Sequence, residues 1–191
     1  MNRVFIDSEN FQGVDYTEIP LPKGDYENCT FVNCTFSNSD LSAINFVACE
    51  FENCDLSMAI VDNTAFKEVV FDGCKLLGVR FDNCNSFLLS LKFSDCYLHL
   101  ASFYKLKLKG IAFHRCSLQE VDFAQAELSN AVFNDCDLLN ATFESTNLEK
   151  ADLRTASNYV LDPELNRIKG AKFSMPAVVG LLSKYDIKID L

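Results

Sequence analysis

A large apolar side chain returns at every fifth position along most of this chain, a period that fits neither a helix nor a strand. From Tyr26 the series runs Phe31, Phe36, Leu41, Phe46, Phe51, Leu56, Val61, Phe66, Phe71, Leu76 and Phe81. It then slips by two residues, resumes at Leu88 and continues from Phe93 to Leu153, with Phe and Leu alternating strictly from Phe93 to Leu148. With the bulky position written i, a second column of mostly small or apolar residues stands at i−2, including Cys34, Ile44, Cys54, Ala59, Val69, Val121 and Ala131. The remaining positions are largely polar, and Asp or Asn recurs at i−1, as in Asp40, Asn45, Asp55, Asp122 and Asp137. Two side chains of every five therefore point inward and three outward.

A chain of this kind turns a corner at each unit and closes a squared coil after four units. The recurrence of Cys34, Cys54 and Cys74 at 20-residue intervals supports four. Stacking such coils gives a β-solenoid in which each coil contacts only its neighbours. About eight coils at the strand spacing make a rod of roughly 38 Å.

The nine cysteines fit the same pattern. Neither a CxxC pair nor a cysteine–histidine cluster occurs, so the spacing is that of a repeat and not of a metal site. Eight of the nine lie at i−2, and Cys84 joins them if the first register is carried one unit further. There they read as small hydrophobes and reduced thiols. No cofactor and no metal is expected.

The pattern resembles the pentapeptide-repeat family, whose consensus is Ala-(Asp/Asn)-Leu-x-x. Ala126-Glu127-Leu128, Ala141-Thr142-Phe143 and Ala151-Asp152-Leu153 carry the match. The resemblance implies an all-β, right-handed quadrilateral β-helix. A single solenoid domain over 1–191 is expected: an irregular N-terminal cap coil at 1–25, a first coil stack at 26–85, a second at 86–173, and a C-terminal helix and tail at 174–191. The slip at Asp82–Lys92 reads as a small bulge or kink between the stacks. Ser174 as a cap, Pro176 in the first turn and the spacing of Met175, Val178, Val179 and Leu182 predict a short capping helix near 176–184. An extended tail with Ile187 and Ile189 follows.

The tail also resembles a narrower group. Asp162-Pro163-Glu164-Leu165-Asn166-Arg167-Ile168, then Phe173-Ser174-Met175-Pro176 and Leu181-Leu182, are similar to the C-terminus of the microcin-immunity and albicidin-resistance proteins, relatives of the Qnr quinolone-resistance group. That resemblance implies a homodimer joined head to head at the C-terminal end, acting on DNA gyrase and topoisomerase IV as a DNA mimic. Met175, Val178, Val179, Leu182, Ile187 and Ile189 are the candidate dimer interface. The slip at 82–92 is too short for the projecting loops of enterobacterial Qnr proteins, so resistance to a natural product fits better than protection from fluoroquinolones.

Charge points the same way. Of the net −10, residues 1–90 hold 14 acids and 5 bases, a net of −9, and residues 91–191 hold 13 acids and 12 bases, a net of −1. Direct nucleic-acid binding is disfavoured for want of a basic footprint. An acidic rod suits a basic groove built for DNA. The outward acids Asp25, Glu27, Asp40, Glu50, Glu52, Asp55, Asp62, Asp72 and Asp82 are the candidate partner surface, whereas Lys105, Lys107 and Lys109 form a local basic cluster.

Little here suggests catalysis. His99 and His114, the only histidines, both fall at i+1, and no phosphate loop or nucleophile motif occurs. No secretory signal is evident at the start and no apolar stretch reaches the length of a membrane span, so a cytoplasmic protein without membrane contact is expected. The sequence thus predicts a non-enzymatic binding rod. Topoisomerase immunity is the first reading and a scaffold for an unrelated partner the alternative.

Overall fold

The computed structural model describes residues 3–188 and is an all-β solenoid with two parallel sheets. One sheet has four strands: β1 (Val4–Asp7), β3 (Gly24–Glu27), β5 (Asn45–Val47) and β7 (Ala65–Lys67). The other has seven: β2 (Asn10–Gln12), β4 (Thr30–Val32), β6 (Glu50–Glu52), β8 (Val69–Asp72), β9 (Leu91–Ser94), β10 (Ala112–His114) and β11 (Val132–Asn134). Registers step by 20 residues, as in Phe31↔Phe51 and Phe46↔Phe66, so one coil is four units. The faces are numbered 1 to 4 in the order the chain visits them. Face 1 carries Phe31, Phe51 and Phe71; face 2 Phe36, Leu56 and Leu76; face 3 Leu41, Val61 and Phe81; face 4 Tyr26, Phe46 and Phe66. On face 1 the bridges Val132↔Asp152 and Asp152↔Lys172 extend the ladder past β11.

The corners explain why a five-residue unit can turn. The residue at i+2 has positive φ in coil after coil, as at Asn28, Asn33, Asn38, Asn53, Asn63, Asn130 and Asn140. Asn tolerates this region at little cost, and no β-branched residue occupies it anywhere in the described chain. The bulky side chains fill the lumen. Phe11, Phe31, Phe51, Phe71, Phe93, Phe113 and Phe133 form one continuous stack with ring centroids 4.8–5.4 Å apart. Phe81, Phe103, Phe123 and Phe143 form a second on face 3, meeting the first edge to face across the lumen, as in Phe103–Phe113 at 5.8 Å and 76°. Offset and perpendicular arrangements are the favourable aromatic geometries.

The i−2 column does more than fill space. The thiols of Cys54, Cys74 and Cys96 donate to the carbonyls of Phe31, Phe51 and Phe71, one coil earlier, at 3.2–3.4 Å. Ser39, Thr64 and Thr146 do the same with hydroxyls, to Tyr16, Leu41 and Phe123. Asn166 does so with its amide, to Phe143 at 2.7 Å. A buried carbonyl without a donor is costly, so a short side chain with a polar hydrogen to donate is the common feature of these seven positions. All nine cysteines are free and buried. Burial pushes the thiols of Cys49 and Cys84 up to about 12, which keeps them protonated.

The slip at 82–92 is a local insertion on face 4. The ladder crosses it on face 1 through Val69↔Leu91 and Phe71↔Phe93, and on face 3 Phe81 stacks on Phe103 at 4.9 Å. On face 4 the bridge Ala65↔Asn85 ends one run and Lys107↔Glu127 begins the next. Leu88, expected to point inward, is 64% exposed and has positive φ. The two extra residues bulge outward as Phe87–Leu88, and Leu89 returns to pack against the core in its place.

The C-terminal cap also differs from expectation. In place of an α-helix near 176–184 there are two 3-10 turns, Ala177–Leu181 and Ser183–Tyr185. No side-chain bond caps the first; the Ser174 carbonyl accepts from Val178 instead. Val178, Val179 and Gly180 are poor helix formers. Gly180 is pressed so closely on Tyr159 that a Cβ there would lie 2.0 Å from the Tyr159 carbonyl oxygen, and its own carbonyl accepts from Leu161. Docking to the last coil sets the shape of this segment. Ala177 and Leu181 pack against the core.

Phe71 and Leu88 both fit the five-residue series, yet their truncations should diverge. Phe71→Ala is expected to lower stability by about 3–5 kcal/mol and Leu88→Ala to change it by less than about 0.5 kcal/mol, as read by urea unfolding of each variant.

Candidate partner-binding surface

Outward residues at i−1 and i+1 flank each inward side chain, so every face presents two polar rows running down the rod. The nine candidate acids are spread over all four faces. Asp25 and Glu27 lie on face 4; Glu50, Glu52 and Asp72 on face 1; Asp55 on face 2; Asp40, Asp62 and Asp82 on face 3. The structure does not gather them into one patch, and it separates them by what already holds them.

Asp40 and Asp55 occupy i−1 and accept the backbone N–H two residues on, from Ser42 at 2.8 Å and Ser57 at 2.9 Å. Asp122 and Asp152 repeat the contact with Ala124 and Arg154. This is the Asx-turn, and it gives the recurring Asp at i−1 a role in the fold itself. Asp40 also pairs with Lys23 at 3.0 Å, and the Ser42 and Lys23 contacts hold its carboxyl down to about 2. Asp25 is held below the usual carboxylate range by Arg3, with Asn45 adding a second bond. Asp82 pairs with Arg80 at 2.7 Å, and Asp62 accepts from Asn83 at 2.8 Å. Glu27, Glu50, Glu52 and Asp72 make no side-chain hydrogen bond or ion pair among the described residues. These four sit on faces 4 and 1, which share an edge, and their carboxylates are uncommitted.

At the other end Met175, Val179, Leu182 and Ile187 are exposed and Val178 half-buried; Ile189 lies outside the described residues. Val160, Leu165 and Tyr185 add exposed apolar area there that the spacing argument missed. Lys184 ties the turns to the last coil through Asp162 and Glu164, each at 2.7 Å. His99 and His114 are half-buried, on faces 2 and 1. Among the described residues no group of three His, Cys, Asp or Glu could hold a metal ion, and no helix is long and apolar enough to cross a membrane.

A squared parallel solenoid built from five-residue units defines a pentapeptide-repeat protein. Two sequence profiles agree, the pentapeptide repeat region over residues 44–123 and pentapeptide repeats in eight copies over 116–154. Together they span more than half of the sequence, and the chain belongs to the pentapeptide-repeat family. Among solved structures it is similar to HetL, a pentapeptide repeat protein involved in heterocyst differentiation regulation in the cyanobacterium Nostoc sp. strain PCC 7120. That match has 16% identity and a TM-score of 0.56, covering 89% of this chain and 87% of that one. It is also similar to full-length QnrB1, a plasmid-mediated fluoroquinolone resistance protein, at 22% identity and a TM-score of 0.47, over 96% and 100% of the two chains. A trypsin-treated QnrB1 variant gives 24% identity and 0.49, over 98% and 100%. No curated protein matches at a significant level.

Near the C-terminal end of the face 1 ladder, Asp152 accepts from the Arg154 guanidinium at 2.7 Å and from the Arg154 N–H, with Lys172 at 3.7 Å. The Arg154 contacts and Lys172 hold its carboxyl down to about 2, from 3.8. A depressed carboxylate stabilises fully above its unfolded value, and the contribution is lost as pH falls through the folded one. Thermal unfolding from pH 5 to pH 2 should therefore show a smaller loss in Asp152→Asn than in the parent, the difference appearing between about pH 4 and pH 2.

Proposed function

We propose that this rod mimics DNA, binds a type II topoisomerase (DNA gyrase or topoisomerase IV), and lowers that enzyme's sensitivity to a drug or peptide toxin. It does so as a binding protein, without catalysis, and as a homodimer joined at its C-terminal ends. The reading rests first on linear charge density. The N-terminal half stacks four rungs on face 1, about 19 Å at the strand spacing. Its net −9 there amounts to one charge per roughly 2 Å, against about 1.7 Å in duplex DNA. A groove that selects DNA by charge and by the width of a rod would accept such a surface.

The tail resemblance supports the partner and the mode of assembly. Exposed apolar side chains at Met175, Val179, Leu182 and Ile187 supply a contact for a second copy. Joined there, the two acidic halves become the outer arms of the dimer, and the uncommitted Glu27, Glu50, Glu52 and Asp72 lie along each arm. Enzyme contact then falls on the arms, with the near-neutral centre serving mainly to set their spacing.

Purified protein should inhibit gyrase supercoiling at high concentration, or protect it from albicidin or a quinolone at lower concentration, with binding that weakens as salt rises. Replacing Glu27, Glu50 and Glu52 with Gln and Asp72 with Asn should weaken the effect at least tenfold while leaving the fold intact by circular dichroism. No inhibition, no protection and no gyrase binding at low salt would defeat the proposal in favour of a scaffold with another partner. Val179→Glu with Leu182→Glu should shift size-exclusion elution from dimer to monomer; an unchanged volume would remove the tail from the dimer seam.

A further inference from the structure

The insertion that pushes Phe87 and Leu88 outward also opens a cleft on the edge between faces 4 and 1. Its volume is about 400 Å³, and Leu89, Ser90, Lys92, Leu108 and Ile111 are among its lining residues. The cause is the missing rung. Lys107 has no bridge to the coil before it, whereas Glu127, Asn147 and Arg167 below it on the same face are bridged in sequence. Inward side chains next to the gap are correspondingly less covered. Leu108 and Ile111 keep 5% and 7% exposure, while Leu128 and Ala131, one coil further on, are at 0%.

The chemistry of the lining runs against that of the molecule. In a chain of net charge −10, this cleft has Lys92, Lys107, Lys109 and His114 at its walls and no carboxylate among its lining residues. The ion pairs made by lysines lie elsewhere, at Lys23, Lys172 and Lys184; among the described residues Lys92, Lys107 and Lys109 make none. Three lysines lining one cleft without an ion pair give it a positive field, which an anion would relieve. The apolar floor adds a second requirement, because leucine and isoleucine surface left wet is best covered by an apolar body.

We propose that this cleft is a binding site for a small amphiphilic anion: an apolar or aromatic body carrying a phosphate, sulfonate or carboxylate. The anionic group lies between Lys92, Lys107 and Lys109, and the body rests on Leu89, Leu108 and Ile111. A purely inorganic anion satisfies only the first half of the site and binds more weakly. The site is separate from the acidic arms and does not depend on the topoisomerase reading.

The test uses the full-length protein and the fluorescent sulfonate 8-anilinonaphthalene-1-sulfonate as probe. At low salt one saturable site per chain is expected, weakened by 0.5 M sodium chloride and displaced by inorganic phosphate only at millimolar concentration. The triple variant Lys92→Ala, Lys107→Ala, Lys109→Ala, checked for fold by circular dichroism, should bind the probe at least tenfold more weakly. Lys107→Glu alone should give a loss in the same direction should the triple variant not fold. The pair Val179→Glu and Leu182→Glu should leave binding unchanged. Undiminished binding in the lysine variants, or binding abolished by the tail variant, would place the probe on the apolar C-terminal end and overturn the proposal. So would the lack of any saturable site up to millimolar probe.

Discussion

Everything in this molecule depends on one repeated demand: at nearly every corner the backbone enters the left-handed region and leaves an inward side chain lying on its counterpart one coil away. The first half of the demand favours Asn and keeps β-branched residues out of the left-handed corners; the one at i+2, Thr155, does not adopt positive φ. The second selects Phe and Leu at i, because flat or branched side chains at the strand spacing fill the lumen without voids. The two requirements are coupled, since a corner misplaced by one residue would turn an inward side chain out. That coupling fixes the sequence period more tightly than either requirement would alone. It also explains why the thiols, hydroxyls and one amide at i−2 are interchangeable: each supplies a single hydrogen to the carbonyl that the corner leaves facing inward.

Surface charge is subject to the same geometry, which complicates its use as a functional signal. An Asp at i−1 that closes an Asx-turn serves the fold whatever the protein binds. Asp40 and Asp55 belong to that group. A Glu at i+1 closes nothing, so Glu27 and Glu52 have no structural duty in the described residues. In this chain acid content alone therefore overstates the area available to a partner. Position within the five-residue unit does not decide this alone: Glu50 at i−1 is uncommitted, whereas Asp62 and Asp82 at i+1 are held by Asn83 and Arg80.

This distinction also marks what the sequence could and could not reveal. The period, the 20-residue coil and the identity of the inward columns follow from spacing, because burial is what produced the spacing. Leu88 departs from the pattern for the same reason: it fits the period, but the period does not say which two residues of an interrupted stretch are expelled. The answer depended on Leu89 reaching the core and Leu91 stacking under Val69, both tertiary facts. At the C-terminus the i, i+3, i+4 pattern was real, yet a segment of two short turns meets the same apolar surface. Its shape is set by Gly180 against Tyr159, not by helix propensity. In sequence the four uncommitted acids are indistinguishable from the five other outward acids, and only contacts such as Arg3–Asp25 and Lys23–Asp40 tell them apart.

The slip of register divides the rod into two chemically different halves while leaving its core continuous. Before it, the long phenylalanine stack is flanked on the adjacent face 4 by Tyr26, Phe46 and Phe66. After it, the partner stack stands on the opposite face 3, as Phe81, Phe103, Phe123 and Phe143, and face 4 changes to leucine. Phe71 touches both systems, meeting Phe66 at 6.0 Å and Phe81 at 6.3 Å, so the handover takes place within one coil. A solenoid tolerates this because each coil answers only to its neighbours. Among the described residues face 4 lacks a bridge between Asn85 and Lys107, and face 3 lacks one between Ile60 and Arg80, while the ladders of faces 1 and 2 run on. The same step marks the change from a strongly acidic half to a nearly neutral one, and the gap in face 4 is where the basic cleft opens. A two-residue insertion thus opens the cleft at the point where the rod's charge changes, without interrupting the aromatic core.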